Sequence, residues 1–161
     1  MSLSAGERVP ETTFYVSGDG GPQPKSSAEV FGGRKVVLFG VPGAFTPTCQ
    51  NKHLPGFIEH RDSILAKGVD EIVLVAVNDP FVLKAWSATT GADGKVTFLS
   101  DGNGEFARAA GLDMDGSGVG LGTRVKRFAA IVEDGVVKAI FVEDSPGEAE
   151  KSSAARVLEA L

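Results

Sequence analysis

Two short apolar runs do most to restrict what this chain can fold into. Arg34–Val41 (RKVVLFGV) and Glu71–Val77 (EIVLVAV) are rich in β-branched residues and lack polar alternation. Strands of that kind have both faces covered, the setting of parallel strands joined by helical crossovers. The intervening segments agree. Gly56–Ala66 (GFIEHRDSILA) places Phe57, Ile58, Ile64 and Leu65 at helical spacing, with Gly68 just past the end. Asp79 can cap a helix that has Pro80 in its first turn and runs through Trp86. Lys95–Leu99 predicts a third strand and Gly104–Ala110 a short helix. Arg127–Glu133 and Val136–Val142 predict a β-hairpin turning on Asp134-Gly135. Ala149–Leu161 predicts an amphipathic C-terminal helix. Residues 17–28 (SGDGGPQPKSSA) read as a surface loop or turn, and Gly111–Gly122 as a Gly-rich loop. The order predicts a single α/β domain over residues 1–161, with a mixed central sheet flanked by helices. Parallel crossovers come first, and the antiparallel hairpin forms one side.

Composition narrows the function. A chain of 161 residues can bury roughly two thirds of its unfolded surface, so no disulfide or metal staple is needed. The net charge of −5, without a basic stripe, gives no case for nucleic acid. The apolar runs are far too short to cross a membrane. The opening MSLSAGERVPETTF has no basic region followed by an apolar run, so no secretory signal is expected. The one cysteine, Cys49, suits a reducing compartment, where a lone thiol stays free, and a cytoplasmic protein is expected. With one cysteine and two histidines, His53 and His60, no zinc site and no other cofactor is expected. GSGVGLG matches no phosphate-binding pattern in a strand-to-helix setting.

The chemistry is expected in Val41–Cys49 (VPGAFTPTC), between the first strong strand and the first long helix, where α/β sheets place their ligands. Cys49 falls in the first helical turn, where unpaired N–H groups and the helix dipole favour an anion. A free thiol has a pKa of about 8.5, and making most of it thiolate at neutral pH requires roughly 3.4 kcal/mol. A helix N-terminus supplies at best about 2 kcal/mol, so a cation or further hydrogen bonds must supply the rest. Arg124, Lys126 and Arg127 in TRVKRF are candidates. Thr46, three residues before Cys49, either presents its hydroxyl beside the sulfur or caps the helix. His53, one turn after Cys49, either pairs with it or is structural. A buried apolar cysteine is the alternative for Cys49 itself, but the polar neighbours Thr46, Thr48, Gln50, Asn51 and Lys52 favour a less buried one.

PGAFTPTC resembles the active-site motif of the peroxiredoxins: Pro, three residues, Thr, two residues, Cys, met here by Pro42, Thr46 and Cys49. KHLPGFIE, VNDPFVLKAW and TRVKRFAAIVEDGVVKA resemble, in order and spacing, the type II peroxiredoxins related to mammalian peroxiredoxin 5. The resemblance covers nearly the whole chain. It implies a thioredoxin-like fold and reduction of hydrogen peroxide and alkyl hydroperoxides through a Cys49 sulfenic acid. In that reading Thr46 hydrogen-bonds the peroxide, Pro42 and Gly43 line and shield the pocket, and Arg127 supports the thiolate and polarises the peroxide. Arg124 is the reserve for that role, and His53 has a supporting one. The resemblance also implies a homodimer with the active-site loops near the interface, involving Phe45 and the 79–82 turn.

One departure decides the regeneration step. Where related chains carry a resolving cysteine, this one has Leu74, or Lys151, Ser152 and Ser153. The sulfenic acid therefore needs an external thiol. Glutathione with glutaredoxin is favoured over thioredoxin. Three other readings compete. A thioredoxin-type oxidoreductase needs Cys-x-x-Cys, and Thr46 occupies the first position. A Cys–His hydrolase leaves Arg127 without a role. A peroxide-sensing thioredoxin-like binding protein would form the same sulfenic acid without rapid turnover.

Overall fold

The computed structural model describes residues 2–161. The loop or turn expected over 17–28 is the turn and second strand of an antiparallel hairpin, β1 (Thr13–Gly18) and β2 (Gly21–Ser26). Pro22 and Pro24 hid it. Proline gives no ladder donor, yet β2 is the edge of the sheet, where one missing row of donors is tolerated. Helix α1 (Ser27–Phe31) follows, its start closed by reciprocal bonds between Ser26 and Glu29.

β3 (Lys35–Gly40) is the first buried strand, as expected. Helical backbone begins at Pro47, passes through a π-turn over Cys49–His53, and continues as α2 (Leu54–Glu59) and α3 (Arg61–Leu65). The helix expected over Gly56–Ala66 thus starts earlier and breaks at His60, whose φ and ψ of −92° and 8° leave the helical region. β4 (Glu71–Ala76) leads to α4 (Pro80–Thr90), capped by Asp79, which accepts from Val82 N at 2.8 Å. This helix runs one turn beyond Trp86, to Gly91 in the left-handed conformation.

β5 (Thr97–Ser100) and α5 (Glu105–Ala109) complete the crossovers. The Gly-rich stretch is partly ordered, because β6 (Asp113–Asp115) pairs with β7 (Thr123–Val125) in a separate ribbon. β8 (Phe128–Glu133) and β9 (Val136–Val142) turn on Asp134 and Gly135, both at positive φ. Helix α6 (Ala154–Ala160) starts five residues later than expected, where Ser153 caps Arg156 N. Residues 144–153 lie irregularly ahead of it, since Pro146 and Gly147 interrupt helix formation.

The strand order is β2-β1-β5-β4-β3-β8-β9, with β5, β4 and β3 parallel and antiparallel pairs on both sides. This is the mixed, thioredoxin-like α/β arrangement implied by the resemblance. β3 shows why its sequence lacks alternation. Val36 and Leu38 pack into one core with Phe14, Phe106 and Phe128, while Val37 and Phe39 pack into the other with Phe57, Leu74 and Trp86. Cys49 lies in that second core. No helix among the described residues is long and apolar enough to cross a membrane.

Candidate active site

The loop leaving β3 is tied down before it reaches the cysteine. Ala44 N donates to Asn78 Oδ1 at 2.8 Å, fixing the loop to the residue two positions beyond β4. Arg124 Nη1 donates to Pro42 O and Arg124 Nε to Leu121 O, each at 2.9 Å. A Cβ on Gly43 would lie 2.5 Å from Arg124 Nη1, so glycine here lets the arginine approach the loop. Arg124 is therefore a loop clamp through Pro42. Phe45 takes a φ of 63°, an uncommon left-handed conformation for a non-glycine residue.

Thr46 Oγ1 donates to Gly43 O at 2.6 Å, and Thr46 O accepts from Gln50 N at 3.0 Å. The hydroxyl proton is thereby committed to the loop, which leaves the oxygen lone pairs as acceptors. The hydroxyl bonds the loop at Gly43 O and does not cap the following helix.

Cys49 is completely buried, which corrects the expectation of a less buried thiol. Its polar neighbours misled because a helix turns them away from one another: Asn51 and Lys52 are exposed while Cys49 and His53 face the sheet. The π-turn contributes. Leu54 N reaches back to Cys49 O, five residues earlier, instead of the usual four.

Arg127 Nη2 donates to the buried Cys49 Sγ at 3.0 Å. Arg127 arrives just ahead of β8, antiparallel to β3, so strand pairing brings the two ends of the chain together. The same guanidinium donates through Nη1 to His53 Nδ1 at 3.0 Å and through Nε to Pro146 O at 3.1 Å. Arginine has no acceptor, so His53 Nδ1 must offer a lone pair. His53 Nε2, 2.9 Å from Ser152 O, then carries the proton and donates to that carbonyl. Burial first, and the Arg127 charge second, lower the His53 pKa to about 3. The imidazole is neutral at physiological pH with both nitrogens occupied, so it is not a base for Cys49. It supports Arg127 instead.

Sequence reading thus brings Pro42, Gly43, Thr46, Cys49, His53, Arg124 and Arg127 to one region. It missed Asn78, Pro146, Glu143 and Ser152. Two of these act through side chains, and a polar Asn directly after a buried strand was an available signal. Pro146 and Ser152 meet the site through carbonyls, which every residue has.

Residues 4–158 match the Redoxin family. Peroxiredoxin-2B of Arabidopsis thaliana is 47% identical over 161 residues, spanning 99% of this chain and 98% of the relative. The chain belongs to the peroxiredoxins. A solved structure titled reduced Prx3 in complex with H2O2, from Vibrio vulnificus, superposes with a TM-score of 0.92 at 44% identity, covering 98% of each chain. The Plasmodium falciparum antioxidant protein, titled a 1-Cys peroxiredoxin, superposes with a TM-score of 0.89 at 28% identity, covering 99% of this chain and 98% of that one. The relatives named for type II peroxiredoxin subgroups place this peroxiredoxin with them. It is a thiol-dependent peroxidase with a thioredoxin-like fold, and the sensor reading is not favoured.

Proposed function

We propose that Cys49 is the peroxidatic nucleophile and that its oxidised form is regenerated by glutathione with glutaredoxin. The observation that carries the first part is the Arg127 Nη2 donor 3.0 Å from the only cysteine sulfur in the 161 residues. A guanidinium there favours thiolate over thiol and faces the position where an approaching peroxide would gain negative charge. Thr46, with its own proton donated to Gly43 O, accepts a hydrogen bond from the hydroperoxide O–H. Pro42 and Gly43 line the pocket.

The reaction balances as follows. The thiolate attacks one peroxide oxygen, an S–O bond forms and the O–O bond breaks. The proton of the attacked oxygen passes to the leaving oxygen, which departs as water or an alcohol, and the Cys49 sulfenate takes up a proton from water to become sulfenic acid. Glutathione then displaces the hydroxyl as water and forms a mixed disulfide, which glutaredoxin resolves by thiol exchange. Leu74 is buried within β4, and Lys151, Ser152 and Ser153 supply no thiol, so the second sulfur comes from outside. A reducing cytoplasm would supply that thiol.

Two exposed aromatics support assembly as a homodimer. Phe45 is 48% and Phe81 64% exposed, and they sit at the active-site loop and at the first turn of α4. Sedimentation equilibrium at micromolar concentration should give a dimer that weakens in Phe81→Glu, and monomer only would overturn this assembly.

Mass spectrometry tests the cycle. One equivalent of hydrogen peroxide should add a single oxygen at Cys49, and added glutathione should convert it to the mixed disulfide. Glutaredoxin should then restore turnover. A Cys49–Cys49 intersubunit disulfide as the main product, or full turnover with thioredoxin alone and no glutathione adduct, would overturn the regeneration route. Cys49→Ser retaining peroxide reduction would overturn the nucleophile.

A further inference from the structure

The groups that hold Arg127 and His53 come from the far end of the chain. Glu143 directly follows β9 and is buried. Its Oε2 accepts from Ser152 N at 2.7 Å and from Ser152 Oγ at 2.6 Å, while its own N–H donates to Arg127 O at 3.0 Å. Ser152 O accepts from His53 Nε2, His53 Nδ1 accepts from Arg127 Nη1, and Arg127 Nη2 reaches Cys49 Sγ. All five residues are buried, and their bonds form one unbroken series from carboxylate to sulfur. Glu143 Oε1 has no hydrogen-bond partner among the described residues. A buried carboxylate that is only half-satisfied is a costly way to fasten a loop, which a neutral side chain could do with less desolvation.

We propose that Glu143 and Ser152 are positioning residues of the peroxidase reaction: together they hold His53 as its Nε2–H tautomer and so aim the Arg127 guanidinium at Cys49. The two bonds to Glu143 Oε2 fix the Ser152 main chain, and with it the direction of the Ser152 carbonyl. That carbonyl accepts the Nε2 proton, which leaves Nδ1 as a lone pair. A neutral imidazole in this tautomer gives Nη1 one place to donate, and the planar fork then points Nη2 at the sulfur. Pro146 O, in the same segment, fixes the third donor, Nε. Lys151 bonds Asp144 on the exposed side, so the Glu143 carboxylate is spent on Ser152 and not on that lysine. The proposal rests on the reading that Arg127 stabilises the Cys49 thiolate.

The test is a double-mutant comparison read by the rate of Cys49 alkylation with iodoacetamide at pH 6, with circular dichroism as the check on folding. Glu143→Ala should slow alkylation about three- to tenfold. Glu143→Gln keeps an acceptor oxygen for Ser152 and should recover most of the rate. In an Arg127→Ala background, Glu143→Ala should change nothing further, because its route to the sulfur is already cut. An unchanged rate in folded Glu143→Ala, or an equal loss with and without Arg127, would overturn the proposal. If Glu143→Ala does not fold, Ser152→Ala, which removes one of the two bonds, is compared in both backgrounds by the same criteria. No effect of Arg127→Ala alone would locate the failure in the reading of Arg127 and remove the proposal with it.

Discussion

Arg127 and His53 share a hydrogen bond of 3.0 Å in which the arginine donates and the histidine accepts. A protonated imidazole could not accept it, so the charge beside Cys49 is held by a ring that must stay neutral. The depression of the His53 pKa to about 3 follows from burial and from that same arginine.

The first prediction is a pH dependence of stability. Unfolded His53 protonates near its ordinary 6.5, while folded His53 resists protonation down to about 3. Below pH 6.5 the unfolded state therefore binds the extra proton, and stability falls as pH falls through the window from 6.5 to 3. At pH 5 the loss from this residue is about 2 kcal/mol relative to neutral pH. Urea midpoints at pH 7 and pH 5 check it. His53→Asn should have lower stability at pH 7 but a flatter dependence, and an identical slope in both proteins would refute the assignment.

Replacing Arg127 should be costly even when the charge is kept. A hydrogen bond to a charged group is worth about 1.5–3 kcal/mol, which corresponds to roughly 10- to 100-fold in rate. Arg127→Lys cannot donate to sulfur, His53 and Pro146 from one planar fork, so peroxide reduction should drop by that order. Steady-state turnover with hydrogen peroxide measures it, and near-normal activity would show that charge alone suffices.

Thr46 gives a sharper contrast. Its proton is donated to Gly43 O, so in the proposed reaction the oxygen acts as an acceptor toward peroxide. Thr46→Val keeps the shape and removes the acceptor, and should lower kcat/KM about tenfold or more, while Thr46→Ser should retain most activity. Equal losses in the two variants would mean that packing, not the hydroxyl, is what matters.

Gly43→Ala should reproduce Arg124→Ala. The new Cβ occupies the place of Arg124 Nη1, the far end of a flexible side chain, so the fold survives while the bond to Pro42 O is lost. Each variant should lose a few-fold in peroxide turnover and about 1 kcal/mol of stability, and the double variant should lose little more than either. Full additivity in turnover and melting temperature would separate the two residues.

What could be read in advance depended on whether a residue acts through its type or through its place. β3, β4 and the Asp134-Gly135 hairpin rest on local signals that tertiary context did not override. So does the Asp79 cap, whereas Thr46 and Arg127 were singled out by the resemblance of PGAFTPTC and TRVKRF to the peroxiredoxins, the local pattern leaving Arg124 and Lys126 equally open. The β1–β2 hairpin was hidden by prolines that only an edge position makes harmless. The burial of Cys49 was hidden because the π-turn and the sheet decide which way the sulfur faces. Glu143 and Ser152 carry no local mark at all. Their role exists only where residues 143–152 fold back over Arg127, and one of the two contacts is made by a main-chain carbonyl.

The closed cover over Cys49 has a kinetic consequence. With no surface of its own, the residue can be reached only when the loop or the first turn yields, and the size of the opening sets who arrives. A peroxide needs a gap of two oxygen atoms, whereas the tripeptide thiol of the proposed cycle needs the turn to come away. Oxidation and rescue therefore run through doors of different width. While the wider one is shut, a second small oxidant can still arrive and carry the sulfur on to the sulfinic state, which a thiol does not reverse. In the proposed cycle the opening of the 49–53 turn is thus a timer: it sets how long each enzyme stands exposed to inactivation.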